Sequence, residues 1–152
     1  MIGAKQVAKS KPDGYTLFFI SSTHLVLPVL RKEMPYDTLG DFTAVTLLAT
    51  GPSLWVVRSD APWRNLKEFI ADAKTRPDAI QWATGGIGTS VHFGGELFQS
   101  LAGIKLYHVA YKGSAASVPA VMAGQVSASC SAVNSALSQI KAGRFVRLAL
   151  NQ

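Results

Sequence analysis

The sequence predicts an α/β fold: a mostly parallel sheet with helices on both faces. Two observations carry this. Short apolar runs alternate with longer amphipathic segments, the order of strands joined by crossover helices. The polar stretches Ser21–His24, Gly85–Ser90 and Tyr111–Ser114 each follow a predicted strand, and strand ends are where such sheets bind ligands.

Taken in order, residues 2–10 read as the last part of a helix, and Pro12–Asp13–Gly14 as a turn. Tyr15–Ile20 is predicted to be a buried strand, and His24–Leu30 a short helix after a polar turn. Pro35–Tyr36–Asp37 begins a loop, and Asp41–Phe42 leads into a strand at Val45–Ala49. Gly51–Pro52 separates this from a second extended run, Ser53–Arg58. Leu66, Phe69, Ile70 and Ala73 share one face of a helix over Leu66–Ala73. Then come a strand at Ile80–Ala83, a helix at Val91–Leu101 stopped by Gly103, and a strand at Leu106–Ala110. A helix over Ala115–Ala123 stops at Gly124. Val126–Cys130 is a strand, Asn134–Lys141 a helix ending at Gly143, and Val146–Leu150 a final strand.

The composition, 48% hydrophobic and 16% charged over 152 residues, is that of a chain able to fill a core. No apolar run reaches the roughly 18–20 residues that span a membrane. The single cysteine, Cys130, excludes an intramolecular disulfide and a thiolate metal cluster, and it falls in a predicted buried strand. The formal charge of +6 favours anionic ligands or reflects scattered, solvated basic residues. No dense basic run with interleaved aromatics occurs, so nucleic acid is not an expected partner.

The stretch Ala83–His92 reads as strand, glycine turn and helix start. First-turn amides without internal partners, carrying partial positive charge, make such a place a seat for an anion. Thr89 or Ser90 would cap this helix even without a ligand. Gly86–Ile87–Gly88 supplies a GxG, but Val91 stands where a third glycine is needed, and no GxxxxGK[ST] occurs. Lys112, with Gly113–Ser114 at the next helix start, offers a second set of free amides or a solvated lysine.

Enzymatic chemistry is not expected. His24, His92 and His108 lie outside any G-x-S-x-G elbow, and no two are spaced i, i+4 for a metal. Tyr107 and Lys112 are five apart, one more than a Tyr-x-x-x-Lys pair needs. His108 alternates with Leu106 and Ala110 and reads as structural; Glu68, Asp72 and Asp78 read as a solvated helix face and turn.

The ordered set Pro12–Leu17, Pro35–Asp37 with Asp41–Phe42, Thr84–His92, Gly95–Phe98, Leu101–Gly103 and His108–Ser114 resembles the Bug-type solute receptors. These are the extracytoplasmic binding proteins of tripartite tricarboxylate transporters. Gly124–Gln125–Val126 and Ile140–Lys141–Ala142–Gly143 extend the likeness; Ala110 replaces a family proline, and Asn134 is kept without its aspartate neighbour.

The resemblance implies a type II periplasmic-binding-protein-like, two-lobed fold. It also implies a non-enzymatic receptor without cofactor or metal, binding a small organic carboxylate in the periplasm for a membrane permease. Carried over, the ligand contacts are Ser22, Thr23 and His24 in the first lobe. In the second they are Gly88, Thr89, Ser90 and His92, with Lys112, Gly113 and Ser114. The family's signal peptide, first strand and Gly-Gly loop have no counterpart here. The resemblance therefore implies a fragment: a complete second lobe over 53–145 and a partial first lobe over 1–50 and 146–152. Weak ligand affinity and self-association through the incomplete lobe's unpaired edge are expected. Two other readings stay open: a folded remnant that binds nothing, and an α/β enzyme with a phosphate seat at Gly85–Ser90.

Overall fold

The computed structural model describes residues 2–151, which divide into two units at Ala49/Thr50. Met1 and Gln152, the outer ends of the expected 1–50 and 146–152 segments, lie outside the described residues.

The first unit contains α1 (Ile2–Ala8) and α2 (Thr23–Leu30), near the positions the sequence suggests. The strands expected at Tyr15–Ile20 and Val45–Ala49 are absent: both segments are irregular, and Tyr15, Leu17, Phe19, Val45, Leu47 and Leu48 are exposed. Their apolar pattern fits a strand, but a strand exists only in a ladder, and neither segment has a pairing partner among the described residues. What packs in this unit is an aromatic cluster. His24 stacks on Tyr36 at 5.5 Å, and Phe18 and Phe42 meet the His24 ring edge-on at 5.7 and 5.0 Å. The following loop is tied by carboxylates: Asp37 accepts the Leu39 and Gly40 amides, each at 3.0 Å, and Asp41 accepts that of Asp37 at 2.8 Å. The two amides hold the Asp37 carboxyl below its usual range.

The second unit is a five-stranded sheet with helices on both faces. In chain order it runs β1 (Ser53–Arg58), α3 (Leu66–Thr75), β2 (Gln81–Thr84), α4 (Ser90–Ala102), β3 (Tyr107–Ala110), α5 (Ser114–Met122), β4 (Ala128–Ala132), α6 (Val133–Lys141) and β5 (Phe145–Asn151). The spatial order is β3-β2-β4-β1-β5. β2 pairs in parallel with β3 and β4, while β1 is antiparallel to both β4 and β5. Four of the five strands run one way, as the mostly parallel expectation has it, and the departure is β1, which lies between β4 and β5 and runs against the rest. β4 starts two residues later than the sequence suggests. β5, which the sequence reading joined to the first lobe, pairs along β1 in this sheet.

One consequence of β1's direction matters for the site. The carboxyl ends of β2, β3 and β4 lie on one edge, and so do the start of β1 and the end of β5. Ser53 registers against both Ala132 and Asn151. The chain thus enters and leaves this unit on the edge where α4, α5 and α6 begin.

The alternation of β1 divides the core. Trp55 and Val57 face α3 and α4 with Trp82, Phe69, Ile80 and Cys130; Leu54 and Val56 face α5 and α6 with Val121, Ala136 and Phe145. Burial pushes the Cys130 thiol up to about 12, so it stays neutral as core packing. Of the acidic residues of α3, Glu68 is exposed as expected and Asp72 is not fully solvated. Glu68 completes a capping box displaced by one residue, its amide bonded to Asn65 at 3.0 Å while its carboxylate accepts the Arg64 amide at 2.8 Å. Asp72 is half-buried, accepting the Trp63 indole N–H at 2.8 Å and pairing with Arg76.

α4 lies on the sheet at Gly95, where a Cβ would overlap the six-membered ring of fully buried Trp82. Its far end is tied by Gln99, whose buried side-chain oxygen accepts the Leu106 amide at 2.6 Å just before β3. Gly95→Ala should therefore destabilise by about 1–3 kcal/mol through overpacking, read as a lowered urea midpoint. Gln99→Leu, which strands a buried amide, should cost about 1–3 kcal/mol in the same assay.

Candidate ligand-binding site

The loop after β2 is held by Thr84, fully buried at the strand's end. The Thr84 hydroxyl accepts the Gly86 amide at 3.1 Å and lies 2.8 Å from His108 Nε2. Thr89 Oγ1 donates to the Gly86 carbonyl at 2.8 Å and accepts the His92 amide at 3.3 Å, capping α4. His92 reaches back in turn: its Nδ1 accepts the Gly88 amide at 3.4 Å. This is a capping box displaced by one residue, with histidine in place of the usual glutamate.

The loop after β3 is fastened to this one. Tyr111 and Gly113 donate to the Thr84 and Gly85 carbonyls at 3.0 and 2.9 Å, and a Cβ on Gly85 would come within 3.0 Å of the Ser114 nitrogen. Only glycine permits that approach. The starts of α4 and α5 are therefore neighbours. α5 has no side-chain cap: Gly113 precedes it, and the Gly113 carbonyl takes the Ala116 and Ser117 amides at 3.1 and 3.3 Å. Helix geometry leaves the Ser90 and Val91 amides of α4 and the Ser114 and Ala115 amides of α5 without intrahelical partners. Their partial positive charge converges on one edge. α6 also starts there without a side-chain cap.

Beneath the edge, Ser129 donates to the Ala83 carbonyl at 3.1 Å and its hydroxyl lies 2.6 Å from that of Ser131, both buried. His92 and His108 pack ring against ring at 4.4 Å, with His108 4.5 Å from Trp82. Burial, then the nearby charge of His92, lowers the His108 pKa from the usual 6.5 to about 4. His108 is a neutral structural histidine at pH 7, as its alternation suggests.

Of the sequence-predicted contacts, Gly88, Thr89, Ser90, His92, Lys112, Gly113 and Ser114 gather on this edge. Ser90, Lys112 and Gly113 are exposed, whereas Gly88 is buried and its amide is engaged by His92. Ser22, Thr23 and His24 belong to the first unit: Ser22 is exposed at the start of α2, Thr23 Oγ1 accepts from Ser21 at 3.1 Å, and the His24 ring is buried in the aromatic cluster. The sequence reading did not single out Thr84, Ser129 or Ser131 as supports. Their signal was available: polar residues at strand positions whose neighbours are buried and apolar. Among the described residues no cluster of three or more His, Cys, Asp or Glu side chains is placed to hold a metal.

The sequence pattern of the tripartite tricarboxylate transporter family receptor, TctC, matches residues 1–152. The chain belongs to this receptor family. Curated TctC-like relatives are 32–36% identical over 95–100% of this chain, and the chain spans about half their length, 43–47%. Solved structures agree in fold. The periplasmic binding protein BugD is 30% identical with a TM-score of 0.85, over 98% of this chain and 50% of that one. The Rhodopseudomonas palustris protein Rpa4515, solved with adipate, is 30% identical with a TM-score of 0.87 over the same shares. MatC from Rhodopseudomonas palustris, solved with bound malate, is 25% identical with a TM-score of 0.81, over 98% of this chain and 51% of that one. The α/β periplasmic-binding-protein fold and the Bug-type assignment are thus established, and TctC relatives of solved structure are binding proteins rather than enzymes.

His108 also gives this TctC chain a pH signature. Between about 6.5 and about 4 the unfolded chain binds a proton that folded His108 refuses, so stability contributed by neutral His108 is lost as pH falls through that window. The wild-type advantage in urea midpoint over His108→Gln should shrink as pH falls from 7 to 4.5.

Proposed function

We propose that this chain carries one jaw of a periplasmic receptor for small dicarboxylates and delivers its ligand to the membrane permease of a tripartite transporter. The observation that carries this reading is the bonding of the Gly85–Thr89 loop to the Tyr111–Gly113 loop, which sets the starts of α4 and α5 side by side. Two sets of free amides at one edge suit the two oxygens of a carboxylate, with exposed Lys112 adding charge nearby. The adipate and malate found in two relatives support a dicarboxylate, and the family supports the permease and the periplasm. The Thr84 hydroxyl that meets His108 at this edge is fully buried and already bonded to the loop, so it offers no exposed nucleophile, which favours binding over catalysis. In this reading the second lobe is the unit from residue 50 onward, its sheet completed by β5, and residues 2–49 are the part of the first lobe described.

The affinity expected is weak, with a Kd on the order of 1 mM, because contacts from one lobe supply only part of a clamp. Calorimetry should show adipate or malate binding and no response to ATP or NAD; a response to the nucleotides alone overturns the reading. Ser90→Pro removes one first-turn amide while suiting the first helical position. It should weaken diacid binding by about three- to tenfold with little change in stability.

We also propose that residues 15–20 and 45–49 pair with a second copy of the chain. Their exposed apolar side chains, and backbone that joins no strand ladder among the described residues, support this. Light scattering at high concentration should give a mass above the 16.2 kDa of one chain; a clean monomer contradicts it.

A further inference from the structure

The amide of Gly88 and the ring of His92 point to a preference that backbone amides alone cannot express. Gly88 is buried, and its N–H has one partner, the His92 Nδ1 at 3.4 Å. Accepting there leaves the proton of the neutral ring on Nε2. That nitrogen faces the Glu96 carboxylate at 3.8 Å, a separation that fits a donor turned toward negative charge. The ring has little freedom to turn away. It packs parallel to Trp82, at an interplanar angle of 4° with centroids 6.2 Å apart, and against His108 at 4.4 Å. Its side chain is only 16% exposed. The Nδ1 lone pair is therefore held in one direction, toward the loop.

A carboxylate settling on the amides of this loop competes with Nδ1 for the Gly88 N–H. Whatever wins it leaves His92 Nδ1 as a half-buried acceptor without a donor, which is costly. A plain diacid cannot repair this, because its carboxylates only accept. A hydroxyl on the carbon beside the carboxylate can: it lies one bond from the carboxyl carbon and donates to the nitrogen that Gly88 has left. The geometry points to His92 as the residue that selects 2-hydroxy carboxylates over unsubstituted ones at this edge. The inference rests on the receptor reading above. It adds to that reading the chemistry of the carbon next to the bound carboxylate, and a role for His92 as a specificity-determining acceptor.

The test compares malate with succinate, which differ by that one hydroxyl, on the full chain. His92→Asn places a side-chain oxygen where Nδ1 stands; His92→Phe keeps an aromatic ring against Trp82 and His108 but has no acceptor. Calorimetry should show the wild type and His92→Asn preferring malate by about three- to tenfold, the worth of one neutral hydrogen bond. His92→Phe should bind the two diacids equally. Without any ligand, hydrogen exchange at the Gly88 amide should be slowed in the wild type and His92→Asn and fast in His92→Phe. Slow exchange at the Tyr111 and Gly113 amides, which bond to the Thr84 and Gly85 carbonyls, shows that each variant keeps the folded loop. A malate preference that survives in His92→Phe, or a wild type that binds both diacids alike, overturns the role of His92 and leaves the receptor reading standing. A wild type that binds neither diacid removes the receptor reading and this inference together.

Discussion

No side chain fits between α4 and the sheet at residue 95, and much of the second unit follows from that constraint. With only a hydrogen there, the helix rests on the face of Trp82. Trp82 is then sealed between the helix and Trp55, its ring 5.1 Å away, while Phe98 closes on Trp55 from the same helix at 5.1 Å. The height of α4 above β2 fixes where its first turn emerges, and so where Thr89 meets Gly86 and His92 meets Gly88. Packing in the apolar interior and hydrogen bonding at the edge are thus one arrangement. A methyl group added at residue 95 would be felt several residues away, at the first-turn amides of the proposed seat.

The edge itself is organised by polar groups that offer nothing directly to a ligand. Thr84 is buried and spends its hydroxyl on the loop and on His108; Ser129 and Ser131 bind each other and the carbonyl of Ala83. These bonds orient backbone, and the backbone presents its amides. A neutral His108 suits this duty, because a charge at that position would alter the Thr84 bond on which the loop hangs. In the proposed seat, rigid amides would recognise the shape and sign of a carboxylate, and a single directed nitrogen from His92 would add discrimination at low cost in flexibility.

Much of the second unit was legible in the sequence because its signals are local. Helix faces such as Leu66–Phe69–Ile70–Ala73 and stops such as Gly103 need no distant partner, and each helix appears within a residue or two of its expected place. The Gly85–Ser90 turn announced itself by composition. What was not legible depends on who pairs with whom. The alternation of Tyr15, Leu17 and Phe19 is that of a strand, yet no ladder forms without a neighbour. The reversed direction of β1 has no local signature, since its apolar run reads the same either way. Asp72 looked like a solvated carboxylate because nothing in its own helix reveals the Trp63 indole reaching it from the preceding loop. The engagement of Gly88 by His92 was closest to readable, through the Thr-x-x-His spacing that mimics a capping box, but histidine is not the residue that motif is known by.

The pairing of Ser53 with Asn151 has a practical meaning. Neighbouring strands lie about 5 Å apart, so the second unit begins and ends at almost one point in space. A body with that property is, topologically, a graft: it can be set into a surface loop of another protein through a single opening without stretching host or guest. Its sheet would keep every strand, and both joints would lie beside the edge proposed to receive the anion. Strain arising there on binding would pass straight into the host, which makes residues 50–151 a natural starting piece for a sensor of small acids.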